Sequence, residues 1–177
     1  SVVDRVREEL EKVLRHSKKV VEDVKREIDK VLKRSEDALR RVEEESKRVL
    51  EEVERDGISE ELEERLRRIH RESRERLKRL KEENERIAEE LRKRLEDLTR
   101  ENEKIIRDLD RELKKTRDKD TLKKLVEEAR KVSEDSRRRL ERIVEEMRRV
   151  SEDSRRRLEE IVRENRKVVE EVRRRAT

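Results

Sequence analysis

An 18-residue period runs through this chain and constrains its fold more than any other feature of the sequence. The segment VSEDSRRRLE occupies residues 132–141 and returns unchanged at residues 150–159. Leu62, Leu80 and Leu98 recur at the same interval. Because an α helix has about 3.6 residues per turn, this interval corresponds to about five whole turns. A side chain then returns to the same face of a straight helix after every repeat, so the period predicts long, nearly straight helices.

One apolar stripe follows each of three consecutive segments of the sequence. Between Val2 and Val53, an arc about 120° wide holds 18 aliphatic residues, three serines and no charged residue. The middle and last segments carry stripes of the same kind, again without a charge. A stripe of this width is typical of a helix that faces a core. Hydrophobic residues make up 28% of the chain and charged residues 60%, so the stripes account for nearly all of its apolar material.

The direction of the stripe changes sharply at two places, which locate the turns. It shifts by about 150° after Val53 and by nearly half a turn after Leu113, when residues are placed at about 100° intervals. The segments RDGIS (55–59) and RDKDT (117–121) lie at these two places. In the first of them, Gly57 suits the end of a helix and the serine suits the start of the next.

These observations predict an all-α protein, an antiparallel up-down-up bundle of three long, nearly straight helices. We expect one domain over residues 1–177, with helices at about 2–55, 59–117 and 121–175. Short connections between helices place sequence neighbours antiparallel. With no cysteine in the sequence, neither a disulfide framework nor a thiolate metal site is available.

The polar residues within the stripes fall at three shared levels. In antiparallel helices, residues at one level have numbers with a nearly constant sum, and here paired positions add to 119 on the first two helices and to 238 on the last two. We therefore expect three buried hydrogen-bond layers that set register and topology. The layers are Ser17, Asn102, Ser133 and Ser136; Ser35, Asn84, Ser151 and Ser154; and Ser46, His70, Ser73 and Asn165.

With its repeated 18-residue units, charge-free stripes and surface of Glu, Lys and Arg, the chain resembles computationally designed helical bundles that carry buried hydrogen-bond networks. The only breaks are RDGIS and RDKDT, and the resemblance covers the whole chain. It implies a scaffold or an assembly module without an evolved substrate. No catalytic residue carries over from such proteins.

Two arrangements of residues resemble sites for chemistry. Ser73 and His70 are three residues apart on one predicted helix, as a nucleophile and its base would be, but no strained turn or oxyanion hole accompanies them. His16 and His70 are the only histidines and lie about 40 Å apart along the bundle, too far to share a metal. We expect no enzyme activity, no cofactor and no metal, and we expect His70 to be buried with a lowered pKa.

The arginine triplets at 137–139, 155–157 and 173–175, with a net charge of +5, raise the question of nucleic acid binding. Their side chains fan out around the helix between acidic residues, and the chain has no aromatic residue to stack on bases. We expect no specific nucleic acid partner, no membrane binding and no small-molecule substrate. No targeting signal is recognised, which is consistent with soluble cytoplasmic expression.

The sequence favours a structural scaffold with no natural biochemical activity. The alternative is a helical assembly module that binds a partner or itself, as a homo-oligomer or a domain-swapped dimer. The two are hard to separate from sequence, because a swapped dimer buries the same surfaces as the monomer.

Overall fold

Three α helices form the fold, and the computed structural model describes residues 1–176 of the chain. The helices are α1 (Val2–Asp56), α2 (Glu60–Lys115) and α3 (Lys119–Ala176). No β strand occurs among the described residues. The aliphatic residues of the three stripes provide the buried side chains of the core, and the helices pack against one another. The prediction of an all-α, three-helix bundle is confirmed.

The chain divides into two compact units, each built from segments of all three helices. The first unit combines Ser1–Glu27 with Ala88–Arg148. The second combines Ile28–Ile87 with the segment that starts at Arg149. Each unit therefore contains its own set of contacts among α1, α2 and α3.

Ion pairs in the second unit show that α1 and α2 run in opposite directions. Lys81 Nζ lies 3.5 Å from Glu36 Oε1, and Arg74 Nε lies 3.1 Å from Glu43 Oε1. From the first pair to the second, the residue number increases on α1 and decreases on α2. This is the antiparallel pairing that a short connection between consecutive helices favours.

Contacts between α1 and α3 in the same unit show that these two helices run in the same direction. Arg34 Nη1 donates to Ser151 Oγ at 3.4 Å, and further along both helices Arg173 Nε lies 3.4 Å from Glu52 Oε2. Positions on α1 therefore face positions 117 to 121 residues later in the chain. Together the two sets of contacts give the up-down-up order.

Aliphatic side chains from all three helices form the core of each unit. One buried cluster in the first unit is Val6, Leu10, Leu109, Leu113, Leu125 and Ala129. Two buried clusters in the second unit are Ala38, Val42, Leu77, Leu80, Leu158 and Ile161, and Val49, Val53, Leu66, Val169 and Val172. Further buried core residues include Leu91, Leu95, Leu98, Leu140, Ile143 and Met147 in the first unit. Full burial of one such side chain contributes about 1.5–3 kcal/mol, so these clusters are the main source of stability.

The first connection depends on the only glycine of the chain. Gly57 follows the end of α1 with a φ of 71°, in the left-handed region that a residue without a Cβ enters at little cost. Its N–H donates to the Val53 carbonyl oxygen at 2.9 Å. Ser59 then caps α2, since its Oγ accepts a hydrogen bond from the Leu62 N–H at 3.4 Å.

The second connection contains no glycine or proline and is held by side-chain hydrogen bonds. Just after α2, Thr116 Oγ1 donates to the Glu112 carbonyl oxygen at 2.8 Å. Just before α3, the Asp118 carboxylate accepts the hydroxyl of Thr121 at 3.0 Å. The Asp118 carbonyl oxygen accepts a hydrogen bond from the Leu122 N–H at 3.0 Å, and α3 begins at Lys119, earlier than the start predicted from the stripe.

Replacing Gly57 with Ala should lower the free energy of unfolding by about 1 kcal/mol, because an L side chain is strained at a left-handed φ. Apart from its chain neighbours, no described heavy atom lies within 4 Å of the position a Cβ would take, so the loss comes from the backbone alone. Urea denaturation followed by circular dichroism measures it. Gly57→Asn is the control and should lose less, since Asn tolerates this region better. Equal stability of Gly57→Ala and the parent would contradict the glycine cap.

Candidate functional site

The polar residues at the three predicted levels are the candidate site, because they are the polar side chains that the helices bury together. Nine of the twelve are buried, and Ser133, Ser151 and His70 are only partly buried. A buried hydroxyl or amide without a partner costs about 1–3 kcal/mol, so the hydrogen bonds at each level decide what the level does.

The level of Asn84 joins all three helices. Asn84 Nδ2 donates to Ser35 Oγ on α1 at 3.1 Å and to Ser154 Oγ on α3 at 2.9 Å. Ser35 Oγ in turn donates to the Val31 carbonyl oxygen at 3.3 Å, so its hydroxyl both accepts and donates. All three polar side chains are at most 4% exposed. One amide therefore holds its two neighbouring helices at a fixed height.

Ser151, predicted at the level of Asn84, lies at the edge of the bundle instead. It is partly exposed, and its Oγ accepts a hydrogen bond from Arg34 Nη1 at 3.4 Å. Ser151 is three residues before Ser154 on α3. An offset of three residues turns a side chain by about 300° around the helix, which places Ser151 at the margin of the stripe. Ser151 is thus a rim residue that binds a surface arginine.

The level of Asn102 joins two helices rather than three. Asn102 Nδ2 donates to Ser136 Oγ at 2.8 Å, which links α2 to α3. Ser17 is buried at this level on α1, yet no hydrogen bond to it exists within residues 1–176. Ser133 is partly exposed and also takes no part. The expected link to α1 is therefore missing at this level.

At the third level the expected hydrogen bonds do not form. Among the described residues, buried atoms without a partner are the hydroxyls of Ser46 and Ser73, both amide atoms of Asn165, and Nδ1 of His70. Asn165 is only 1% exposed, so its amide is removed from water without replacement bonds. Residue numbers place these groups at one height, but their polar atoms do not form hydrogen bonds with one another.

His70 lies half-buried beside the third level, so the expectation of a buried histidine is met only in part. Burial lowers the pKa of His70 below its ordinary value of 6.5, the Arg74 guanidinium lowers it further, and the Glu43 carboxylate raises it. Arg74 and Glu43 are themselves an ion pair at 3.1 Å, which limits the net effect of either charge. His16 is exposed.

The arrangement of Ser73 and His70 is not that of a nucleophile and its base. Neither Ser73 Oγ nor His70 Nδ1 has a hydrogen-bond partner in the described structure, so the histidine does not activate the serine through that nitrogen. Over residues 1–176, no cluster of three or more His, Asp or Glu side chains has the spacing of a metal site. The third level therefore consists of buried polar groups without hydrogen-bond partners among the described residues.

The arginine triplets contribute ion pairs to the edge between α2 and α3. In the second unit Arg157 Nη1 lies 3.0 Å from Glu83 Oε2, and in the first unit Arg139 pairs with Glu101. The two arginines are 18 residues apart, and so are the two glutamates. Sequence reasoning did not identify these pairs, although the period contained the signal. Ion pairs that are this exposed contribute about 0–1 kcal/mol each, so they guide helix pairing more than they stabilise it.

Comparisons of the chain with models of protein families, with curated proteins and with solved structures found no match. In the part of the chain that the structure describes, none of the helices has a stretch long and apolar enough to cross a membrane.

Replacing Asn165 and Asn84 with Leu in separate variants tests the difference between the levels. Asn84→Leu removes two hydrogen bonds, whereas Asn165→Leu removes none and relieves a buried, unpaired amide. The free energy of unfolding of Asn165→Leu should therefore be higher than that of Asn84→Leu by about 1–3 kcal/mol. Urea denaturation of both variants measures this difference. Equal changes would show that the two amides have the same surroundings in solution.

The pH dependence of stability tests the position of His70. Its folded pKa is lowered, so the unfolded chain binds the extra proton in acid. The contribution of His70 to the free energy of unfolding is thus fully present at pH values above its ordinary pKa of 6.5. It is lost as the pH falls through that value toward the folded pKa. His70→Gln should lose less stability than the parent between about pH 7.5 and about pH 5. His16→Gln is the control and should lose as much as the parent. Equal acid losses for the parent and His70→Gln would contradict this position.

Proposed function

We propose that this chain is a designed structural scaffold, a three-helix bundle whose work is to hold its helices in one register, with no catalytic role. The observation that carries the proposal is the Asn84 layer, in which one buried amide donates to a serine on each of the other two helices. Buried polar contacts of this kind specify register and partner in helical assemblies while adding little to stability.

The use of the apolar surface also supports a scaffold that acts as a monomer. Among the described residues, the large hydrophobic side chains that are exposed are Val2, Ile105 and Val126. Stable interfaces between chains bury about 800 Å² on each partner and usually have an apolar centre. Val2 and Val126 line one groove together with Leu122, but a patch of so few side chains does not provide such a centre. The faces outside the stripes are charged.

The charged faces support the same role by their internal pairing. Where α2 meets α3 in the second unit, Arg157 pairs with Glu83 and Arg76 pairs with Glu164. Charges that are paired across a helix boundary favour one arrangement of neighbours over others. The polar surface is thus organised around the bundle's own helices.

Spin labels on α1 and α2 test whether the Asn84 layer sets the register. Lys33 and Arg86 are exposed, lie in the second unit, and can each be replaced by a labelled cysteine because the chain has no cysteine of its own. The parent should give one narrow distance distribution. Asn84→Leu should broaden it or add a second distance, since aliphatic packing tolerates axial shifts of about 1.5 Å per residue. An equally narrow distribution in both proteins would show that the aliphatic core alone sets the register.

The mass in solution separates the scaffold from the self-associating alternative. Light scattering on a sizing column should give the monomer mass of 21.9 kDa across a wide range of concentration. A mass of twice that value, stable on dilution, would favour a domain-swapped or homodimeric module instead. Gly57→Ala is a stricter test, because strain in the connection between α1 and α2 favours domain swapping. If the chain is a monomeric scaffold, this variant should still elute as a monomer.

A further inference from the structure

A groove between α1 and α3 in the second unit collects arginine side chains. Its volume is about 480 Å³, within the range of about 300–1,000 Å³ that small-molecule sites have. Five arginines line it: Arg34, Arg41, Arg155, Arg163 and Arg166. The rest of the wall is mainly aliphatic.

These arginines have no carboxylate partner in the part of the chain that the structure describes, residues 1–176. Arg34 donates to the neutral hydroxyl of Ser151. Asp37, which also lines the groove, is paired with Arg40 at 2.8 Å. Glu159 is exposed and is the other carboxylate along the wall. The groove therefore carries an excess of positive charge that the protein itself does not neutralise.

Four of the five arginines fall at two heights with an apolar floor between them, and Arg166 lies beyond the second height. Contacts between α1 and α3 join positions 117 to 121 residues apart. Arg34 and Arg155 are separated by 121 residues and Arg41 and Arg163 by 122, so each pair lies at about one height. At 1.5 Å per residue the two pairs are about 12 Å apart along the bundle. The side chains of Ala38, Leu158 and Val162 line the groove between these heights.

The groove on the other side of α3, between α2 and α3, does not share this excess. Its arginines include Arg157, which pairs with Glu83, and Arg76, which pairs with Glu164. Arg79 and Arg86 also line this groove, together with Glu82 and Glu160, and neither arginine has an ion pair among the described residues. Its four arginines are offset by three glutamates on the wall and by Glu164 beside it, whereas the five arginines of the α1–α3 groove share their wall with two carboxylates. The α1–α3 groove therefore differs in its excess of positive charge.

We propose that the α1–α3 groove is a binding site for a small organic dianion with an apolar middle. Each arginine pair binds one anionic group, since guanidinium groups form paired, charge-assisted hydrogen bonds with phosphonate or carboxylate oxygens. The apolar middle covers Ala38, Leu158 and Val162 and is removed from water there. Nucleic acid fits less well, because the chain has no aromatic side chain on which bases stack.

Calorimetric titration with an eight-carbon alkane that carries a phosphonate at each end tests this site. At low ionic strength the parent should bind it saturably, one ligand to one chain. The double variant Arg41→Gln/Arg163→Gln removes one charge from each helix and should weaken binding by about tenfold or more, as loss of two charge-assisted contacts predicts. The control double variant Arg79→Gln/Arg86→Gln removes the same charge from the balanced groove and should bind within about twofold of the parent.

A second readout in the parent alone keeps the test independent of how the variants fold. On titration, the NMR methyl signals of Ala38, Leu158 and Val162 should shift with the calorimetric affinity, and the same alkane with one phosphonate should bind more weakly. The proposal is overturned if the bisphosphonate does not saturate the parent, if those methyl signals do not move, or if both double variants weaken binding equally. It is also overturned if a short DNA strand binds more tightly than the bisphosphonate, since that result shows general attraction of polyanions.

Discussion

A primary amide inside an aliphatic core has to find its hydrogen-bond partners within the protein, and the rest of this structure depends on how Asn84 does so. Its Nδ2 donates to Ser35 on α1 and to Ser154 on α3. A slip of one residue between helices moves a side chain by about 1.5 Å, which is enough to take such bonds out of range. Aliphatic neighbours such as Leu80 and Val42 tolerate a shift of this size much better. We therefore propose that the amide adds a defined register to an otherwise permissive apolar contact.

The three polar levels differ in what they contribute. Asn84 links three helices, Asn102 links two, and Asn165 links none among the described residues. Each buried, unpaired atom at the third level reduces stability, while the aliphatic clusters on either side supply it. On the proposed function, a small part of the core specifies register and the remainder supplies stability.

The helices and the heights of the polar residues could be predicted because both follow from counting. An 18-residue period gives the faces of the helices, and constant sums place Asn84 level with Ser35 and Ser154. Counting does not give rotamers. The residue number of Asn165 places it level with Ser46 and Ser73, yet its amide bonds to neither, and this could not be predicted from residue numbers.

The surface was less predictable than the core for a related reason. Long side chains reach several neighbours, so the sequence shows that Arg157 and Arg163 exist but not that the first finds Glu83 and the second finds no carboxylate. α3 begins at Lys119, slightly before the start near Thr121 that the stripe indicates, because the bond from the Leu122 N–H to the Asp118 carbonyl depends on the local turn. Features that depend on the direction of a single side chain could be identified only from the structure.

The side-chain amide of Asn84 tests the central claim most directly, because its two Nδ2 protons are the donors that join the helices. NMR of the uniformly labelled protein should show these protons as a separated pair that exchanges with water far more slowly than an exposed amide, with contacts to the β protons of both Ser35 and Ser154. Rapid exchange comparable to that of a free asparagine, or contacts to only one of the two serines, would contradict the account that Asn84 holds three helices in register.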